Sequence, residues 1–303
     1  MTRSHGPDFI CVGMPKAGTG WLYDQLDAHP DFWMPPVKEL VYLNKPYPPL
    51  NFVDDNGAAA LTREQRLAAA NGTASPAAGE RRVRRFPLHN RDVAFLKYAS
   101  TGRGKPRDLD FYAGLFAFKG DLLSGDITPP YCNIESHLVS EIGGRFPETK
   151  ILLLVRDPVA RVWSRICMAH AGGKGFDTAL LSDAAAFHRY LQDTHKLGGL
   201  SATQTYRRWR AHAPNLSVRY FFFDHIVGEP QTVRRDILEF LGANPNETGS
   251  RLPPDYNRKA KAKLEMPPLA RAVLVHYFKG ELLASAEIFG GPAVTWPAAY
   301  GLS

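Results

Sequence analysis

Cysteine is scarce in this 303-residue chain, which has three: Cys11, Cys132 and Cys167. An odd number in apolar or helical surroundings excludes a disulfide framework and points to buried thiols in a reducing compartment. None of their spacings suits zinc. Long apolar runs are missing too. No stretch approaches the ~18 apolar residues of a membrane-spanning helix. The N-terminal MTRSHGPDF lacks the apolar core of a signal peptide. The expectation is a soluble, cytoplasmic protein. No period of about 20–50 residues recurs, which excludes solenoids and propellers.

What is present is ordinary globular material with a basic excess. Apolar residues make up 44% of the chain and charged residues 22%, enough for a sizeable core. The 37 basic side chains outnumber the 30 acidic ones, giving a net charge of +7 and implying anionic partners. A nucleotide, a polyanion, nucleic acid and a membrane surface all satisfy that condition. Length alone allows one large α/β domain or two small ones.

The organising stretch is Phe9–Leu26, FICVGMPKAGTGWLYDQL. Phe9–Val12 reads as a buried central strand. Gly13 breaks it, Pro15–Gly20 forms a tight basic loop, and from Thr19 the pattern turns helical through Trp21, Leu22 and Leu26. Strand, glycine loop and helix in succession aim backbone N–H groups and a helix N-terminus at one phosphate, and Lys16 adds a mobile cation. The P-loop of ATP and GTP enzymes reads GxxxxGK[ST]. Gly13 and Gly18 keep that separation, but Thr19 stands where the lysine belongs, and Lys16 lies inside the loop. This argues against an ordinary ATPase and for a different nucleotide, with the lysine reaching the group to be transferred. Many strand–helix turns contain Gly, Lys and Thr and bind nothing, so the loop alone does not decide.

The second strong strand is Lys150–Val155. Arg156-Asp157-Pro158 follows, then a helix bearing Arg161, Trp163, Ser164 and Arg165. Ligands of open parallel sheets sit at the carboxyl ends of strands, so Arg156 and Ser164 can clamp a second phosphate. The competing reading has Arg156 pair with Asp157 or cap local structure. Further strands are expected at 122–126, a short one, and at 217–224, a buried one. Helices are expected at 108–118, 133–144, 229–241 and 267–289, with two or three more within 176–213. The helix at 133–144 is expected to end at Gly143-Gly144. Lys38-Glu39 lies among apolar and aromatic residues, an unusual setting for an acid; the plain alternative is a surface ion pair. Residues 45–110 read as an insertion on a single domain. It holds a short helix at 58–70, a flexible linker at 71–80, and a basic cluster at 81–85 that is either a solvated face or a lure for an anionic acceptor.

Several of these segments, in order, resemble the 3′-phosphoadenosine 5′-phosphosulfate (PAPS)-dependent sulfotransferases, most closely the carbohydrate and heparan-type branch and its bacterial relatives. Lys16-Ala17-Gly18-Thr19 resembles their 5′-phosphosulfate loop. Leu26–Pro30 (LDAHP) followed by Lys38-Glu39 resembles their HP…KE segment, whose glutamate is the proposed base. Arg156-Asp157-Pro158 with Arg161, Trp163 and Ser164 resembles their 3′-phosphate motif. Phe240-Leu241-Gly242, a basic loop and a final helix complete the order. Two departures stand out. Asp126-Ile127-Thr128-Pro129 resembles a family EKTP stretch with isoleucine in place of an acceptor-binding lysine, and the late loop reads NRKAKAK over Asn257–Lys263, without the usual glycines. The similarity spans most of the chain outside about 45–110.

The resemblance implies a three-layer α/β/α fold with a central parallel sheet, the P-loop-NTPase-like sulfotransferase fold, in one domain over 1–303. It implies PAPS as donor, 3′,5′-adenosine bisphosphate (PAP) as product, and no metal. Donor contacts are expected from Lys16, Ala17, Gly18, Thr19, Gly20, Trp21, Arg156 and Ser164, and from Arg258, Lys259 and Lys261 in the late loop. Acceptor contacts are expected from Lys38, Glu39, Asp126 and Thr128, with Glu39 as general base, His29 as its rival, and Lys16 assisting catalysis. The acceptor is expected to be a carbohydrate or glycan-like molecule; an aromatic natural product is the alternative, and neither nucleic acid nor an integral membrane segment is expected. A P-loop-like nucleotide or small-molecule kinase is the rival enzyme class, but it needs a lysine after Gly18. A polyanion-binding module predicts steep salt dependence and leaves two phosphate sites unexplained.

Overall fold

The computed structural model describes residues 6–44, 89–102, 105–171, 176–193, 201–246, 252–256 and 264–302. Their four strands are β1 (Phe9–Cys11), β2 (Gly125–Ile127), β3 (Lys150–Val155) and β4 (Val218–Phe222). They form one parallel sheet in the order β2-β1-β3-β4. Phe9 pairs with Gly125 on one side and Lys150 on the other, and Ile151 pairs with Val218. All three residues of β1 and the last five of β3 are buried, as central strands of a parallel sheet must be. Gly125 lets β2 come close, since a Cβ there would lie 2.4 Å from the Phe9 carbonyl oxygen.

Around the sheet stand α1 (Thr19–Asp27), α2 (Asn90–Ser100), α3 (Leu109–Gly114), α4 (Ser136–Arg145), α5 (Pro158–Ala171), α6 (Ala184–Asp193) and α7 (Ala202–His212). The later part adds α8 (Phe223–Gly228), α9 (Pro230–Leu241), α10 (Pro268–Phe289) and α11 (Trp296–Ala299). The architecture is the expected α/β one with a central parallel sheet. None of the helices among the described residues is long and apolar enough to cross a membrane.

Four expectations need correction. The strand read at 122–126 begins at Gly125 and runs to Ile127. The helix read at 108–118 breaks after Gly114 and resumes as a 3-10 turn at Ala117–Lys119. α4 runs through both glycines to Arg145, because Gly143 serves close packing: a Cβ there would lie 2.9 Å from Ala213 Cβ. The strand read at 217–224 is a half-exposed edge, and its last two residues, Phe223 and Asp224, already belong to α8. The helix at 58–70, the linker at 71–80 and the basic cluster at 81–85 lie outside the described residues, as do Arg258, Lys259 and Lys261.

Candidate functional site

The loop after β1 is stitched to β3. Val12 N–H donates to Leu152 O (3.0 Å), Met14 N–H to Leu154 O (2.9 Å), and Leu154 N–H to Gly13 O (2.8 Å). The loop therefore sits at the carboxyl edge between β1 and β3, the place where open α/β sheets bind ligands. Gly18 closes it at φ 100, and a Cβ there would meet Ile226 Cδ1 at 2.9 Å and Phe223 Cδ2 at 3.3 Å, so the position needs glycine on both counts. Gly18 is also the N-cap of α1, and no side chain caps that terminus. First-turn amides without a side-chain cap are suited to an anion. Ala17 is buried and its N–H is used within the loop, donating to Met14 O (3.2 Å).

Lys16 has a left-handed backbone at φ 67. Its ammonium rests on Met168 Sδ (3.5 Å), and its carbonyl accepts from Arg156 Nη1 (2.8 Å). Arg156 follows β3 directly and lies 4.1 Å over the Phe223 ring. Burial lowers its pKa, with Asp157 and Asp224 acting in the opposite direction. Of the two plain alternatives for Arg156, pairing with Asp157 is not realised, whereas its bond to the Lys16 carbonyl does tie down local backbone. Asp157 Oδ1 instead accepts from the N–H groups of Val159 (2.8 Å) and Ala160 (3.3 Å), capping α5, and Oδ2 accepts from the Tyr300 hydroxyl (2.5 Å). Ser164 is half-buried on α5, two turns further on.

Glu39 reaches the same edge from the loop after α1. Its Oε1 accepts from Lys38 Nζ at 2.6 Å, and Lys38 also reaches Thr19 Oγ1 at 3.4 Å. The pair is asymmetric: the Lys38 side chain is 6% exposed and that of Glu39 40%, so the cation is enclosed and the carboxylate faces out. Glu39 and Val41 both hold positive φ, 67 and 58. For a β-branched residue this is an outlier, and such strain persists only where surroundings fix it.

The fixing group is Asp126. It is 1% exposed, and Thr128, two residues on, is fully buried. Both were expected at the acceptor; they lie behind the Glu39 segment. Asp126 accepts from the hydroxyls of Thr128 (2.6 Å), Tyr131 (2.7 Å) and Tyr112 (3.1 Å), and from the Leu40 N–H. Thr128 and Tyr131 in turn accept from Val41 N–H (3.3 Å) and Leu43 N–H (3.2 Å). Tyr42 stacks on Phe111 and Tyr112, with ring centroids 5.4 and 5.7 Å away. Four consecutive residues after Glu39 are thus pinned.

His29, the rival base, is 1% exposed. Nδ1 accepts from Asp31 N–H (3.2 Å), which leaves the proton on Nε2 for Asn244 O (3.1 Å), so both nitrogens are engaged. Trp21 donates from Nε1 to Pro254 O (2.6 Å) and Gln25 from Nε2 to Pro253 O (2.9 Å). Trp163 Nε1 donates to Leu264 O (3.0 Å). The described flanks of 257–263 are therefore tied to α1 on one side and α5 on the other. Gly20 opens onto free space.

Two open cavities lie against α10, about 500 Å³ beside His188 and His276 and about 680 Å³ beside Arg271 and Tyr300, and neither is lined by Lys16, Glu39 or Arg156. Those three side chains sit at the carboxyl edge of the sheet instead. Among the described residues no group of three or more His, Cys, Asp or Glu side chains could hold a metal ion. Sequence reasoning missed Phe223 and Tyr300. Phe223 ends an aromatic run at a strand's carboxyl end, a usable signal, whereas Tyr300 lies in no motif.

The fold and this edge define a P-loop-like α/β protein with a glycine-containing loop between two central strands. The particular family is the sulfotransferases: the family's model matches residues 7–247, and the chain belongs to it. A sulfotransferase from Alicyclobacillus acidocaldarius is similar in structure, with TM-score 0.63 and 20% identity, covering 96% of this chain and 98% of that one. The sulfotransferase domain from the curacin biosynthetic pathway aligns at TM-score 0.49 and 15% identity over 98% of each chain. No curated protein matches. The protein is a sulfotransferase, which sets the kinase reading aside.

Proposed function

We propose that this sulfotransferase moves the sulfuryl group of PAPS to a hydroxyl or amine of a carbohydrate acceptor by in-line displacement, releasing PAP. The observation that carries the reading is the 2.8 Å bond from Arg156 to the Lys16 carbonyl, which ties two strand-end anion loops into one unit. PAPS is a ligand with two anionic ends, a 5′-phosphosulfate and a 3′-phosphate. When bound, it supplies the activated sulfuryl group. The first-turn amides of α1 and Lys16 hold the 5′ end, and Lys16 neutralises charge developing on the bridging oxygen. Arg156 and Ser164 hold the 3′-phosphate, the guanidinium supplying charge and the hydroxyl a donor. Arg258, Lys259 and Lys261 add charge to the donor from a segment whose flanks are bonded to α1 and α5. Glu39, held beside the loop through Lys38 and Thr19, takes the acceptor proton. Asp126 and Thr128 position Glu39 rather than touch the acceptor. A net charge of +7 supports an anionic, glycan-like acceptor over a neutral one.

Calorimetric titration with PAP, against ATP plus Mg²⁺, tests the donor reading. Wild type is expected to bind PAP without metal. Lys16→Ala and Arg156→Ala each remove a charged phosphate partner, at ~1.5–3 kcal/mol, so each should weaken PAP by about 10- to 100-fold. A preference for ATP–Mg²⁺, or PAP affinity untouched in both variants, would overturn it.

A further inference from the structure

The C-terminal turn enters the candidate site from a region that no sequence motif covers. α11 ends in a Schellman arrangement: Gly301 (φ 70) donates to Ala298 O and Leu302 N–H to Pro297 O, both at 3.0 Å. Tyr300 is the residue just before that left-handed glycine. Arg271 of α10 grips the same turn, donating from Nη2 to Ala299 O (2.7 Å) with its guanidinium 5.2 Å from the Tyr300 ring centroid. Together these contacts aim the Tyr300 hydroxyl at Asp157 Oδ2, 2.5 Å away.

Asp157 is the chain neighbour of Arg156, and its carboxylate acts on that guanidinium more strongly than Asp224 does, which makes it the leading built-in competitor. Every described contact keeps it occupied elsewhere. Oδ1 caps α5, Oδ2 takes the tyrosine hydroxyl, and Arg156 turns to the Lys16 carbonyl and the Phe223 ring. Without the hydroxyl, Oδ2 would be left half-buried and short of a donor, and the guanidinium of its chain neighbour Arg156 already feels the Asp157 charge. An internal Arg–Asp pair competes directly with an Arg–phosphate contact for the same N–H fork.

We propose that Tyr300 is a positioning residue of the donor site: its hydroxyl holds Asp157 off Arg156, and so sets the preference for nucleotides that carry a 3′-phosphate. The inference rests on the donor reading above. Tyr300 does not touch the nucleotide; it acts through Asp157 on Arg156.

The test compares PAP with 5′-AMP, which lacks the 3′-phosphate, as ligands of wild type, Tyr300→Phe, Asp157→Asn and the double variant. Wild type is expected to prefer PAP. In Tyr300→Phe the PAP-over-AMP ratio should fall about tenfold, the worth of one charge-assisted bond. Adding Asp157→Asn to Tyr300→Phe should restore most of the ratio, because a neutral amide does not capture the guanidinium yet can still cap α5. A purely architectural tyrosine would weaken both ligands alike and gain nothing from the second substitution. An unchanged ratio in Tyr300→Phe, or no rescue in the double variant, overturns the proposal. If wild type itself shows no preference for PAP, the donor reading has failed; if wild type prefers PAP and Tyr300→Phe prefers it by the same ratio, only the role of Tyr300 falls.

Discussion

Glu39→Gln is expected to lower turnover by ~10²–10⁴-fold, the usual worth of a general base, with PAP affinity near that of wild type. The amide keeps the size and shape of the side chain but cannot accept a proton from the acceptor. It also keeps a carbonyl oxygen for Lys38, so the 2.6 Å contact and the link onward to Thr19 survive in weakened form. The effect should fall on kcat and leave the donor KM alone, because the carboxylate faces outward at 40% exposure while the donor loop is built from other groups. Initial rates of PAP release, with donor and acceptor varied in turn, separate the two. A loss below about threefold would remove Glu39 from the role. His29 would not replace it, since Asp31 N–H and Asn244 O occupy both of its nitrogens.

How far the sequence could be read depended on whether a feature was local. β1 and β3 were legible because a central parallel strand must be apolar on both faces, and FIC and KILLLV are. The loop between β1 and α1 was legible because its glycine, lysine and helix start are consecutive. The bounds of the edge strands were not: β4 carries an exposed Arg219 and stops two residues early, where Phe223 turns down into α8 to pack on Gly18 and Arg156. The end of α4 was misread because a glycine pair signals termination locally, whereas here Gly143 answers a distant neighbour, Ala213. The same limit hid the site's support. Asp126 read as an acceptor contact because its stretch resembles EKTP, yet its partners come from 112, 128, 131 and the 40–43 segment, which no spacing rule connects. Tyr300 reaches Asp157 across 143 positions.

That support carries the second large effect. Asp126→Ala is expected to cost about 3 kcal/mol of stability or more, since each buried polar group left unpaired costs ~1–3 kcal/mol and three hydroxyls and one N–H lose their acceptor. Turnover should fall by ~10²-fold as well, because releasing the Leu40–Leu43 backbone lets Glu39 leave its strained position, and misplacing a reactive group by about 1 Å costs that much. A pH series distinguishes this buried acid from an ordinary surface one. Burial pushes its carboxyl up from 3.8 to about 6, against the opposing hydrogen bonds from Thr128, Tyr131, Tyr112 and the Leu40 N–H. A carboxyl whose folded pKa lies above its unfolded one takes up a proton on folding between those values. It therefore adds stability as pH falls from about 6 towards 4, and withholds it above. Asp126→Asn abolishes that titration. Thermal melts of the two proteins from about pH 7 to about pH 4 should therefore show their stability difference moving in favour of wild type as the pH drops, by up to about 3 kcal/mol. A difference that stays flat, or moves the other way, would mean that Asp126 is no more costly to ionise in the folded protein than in the unfolded chain, and that the hydroxyl ring fully offsets its burial.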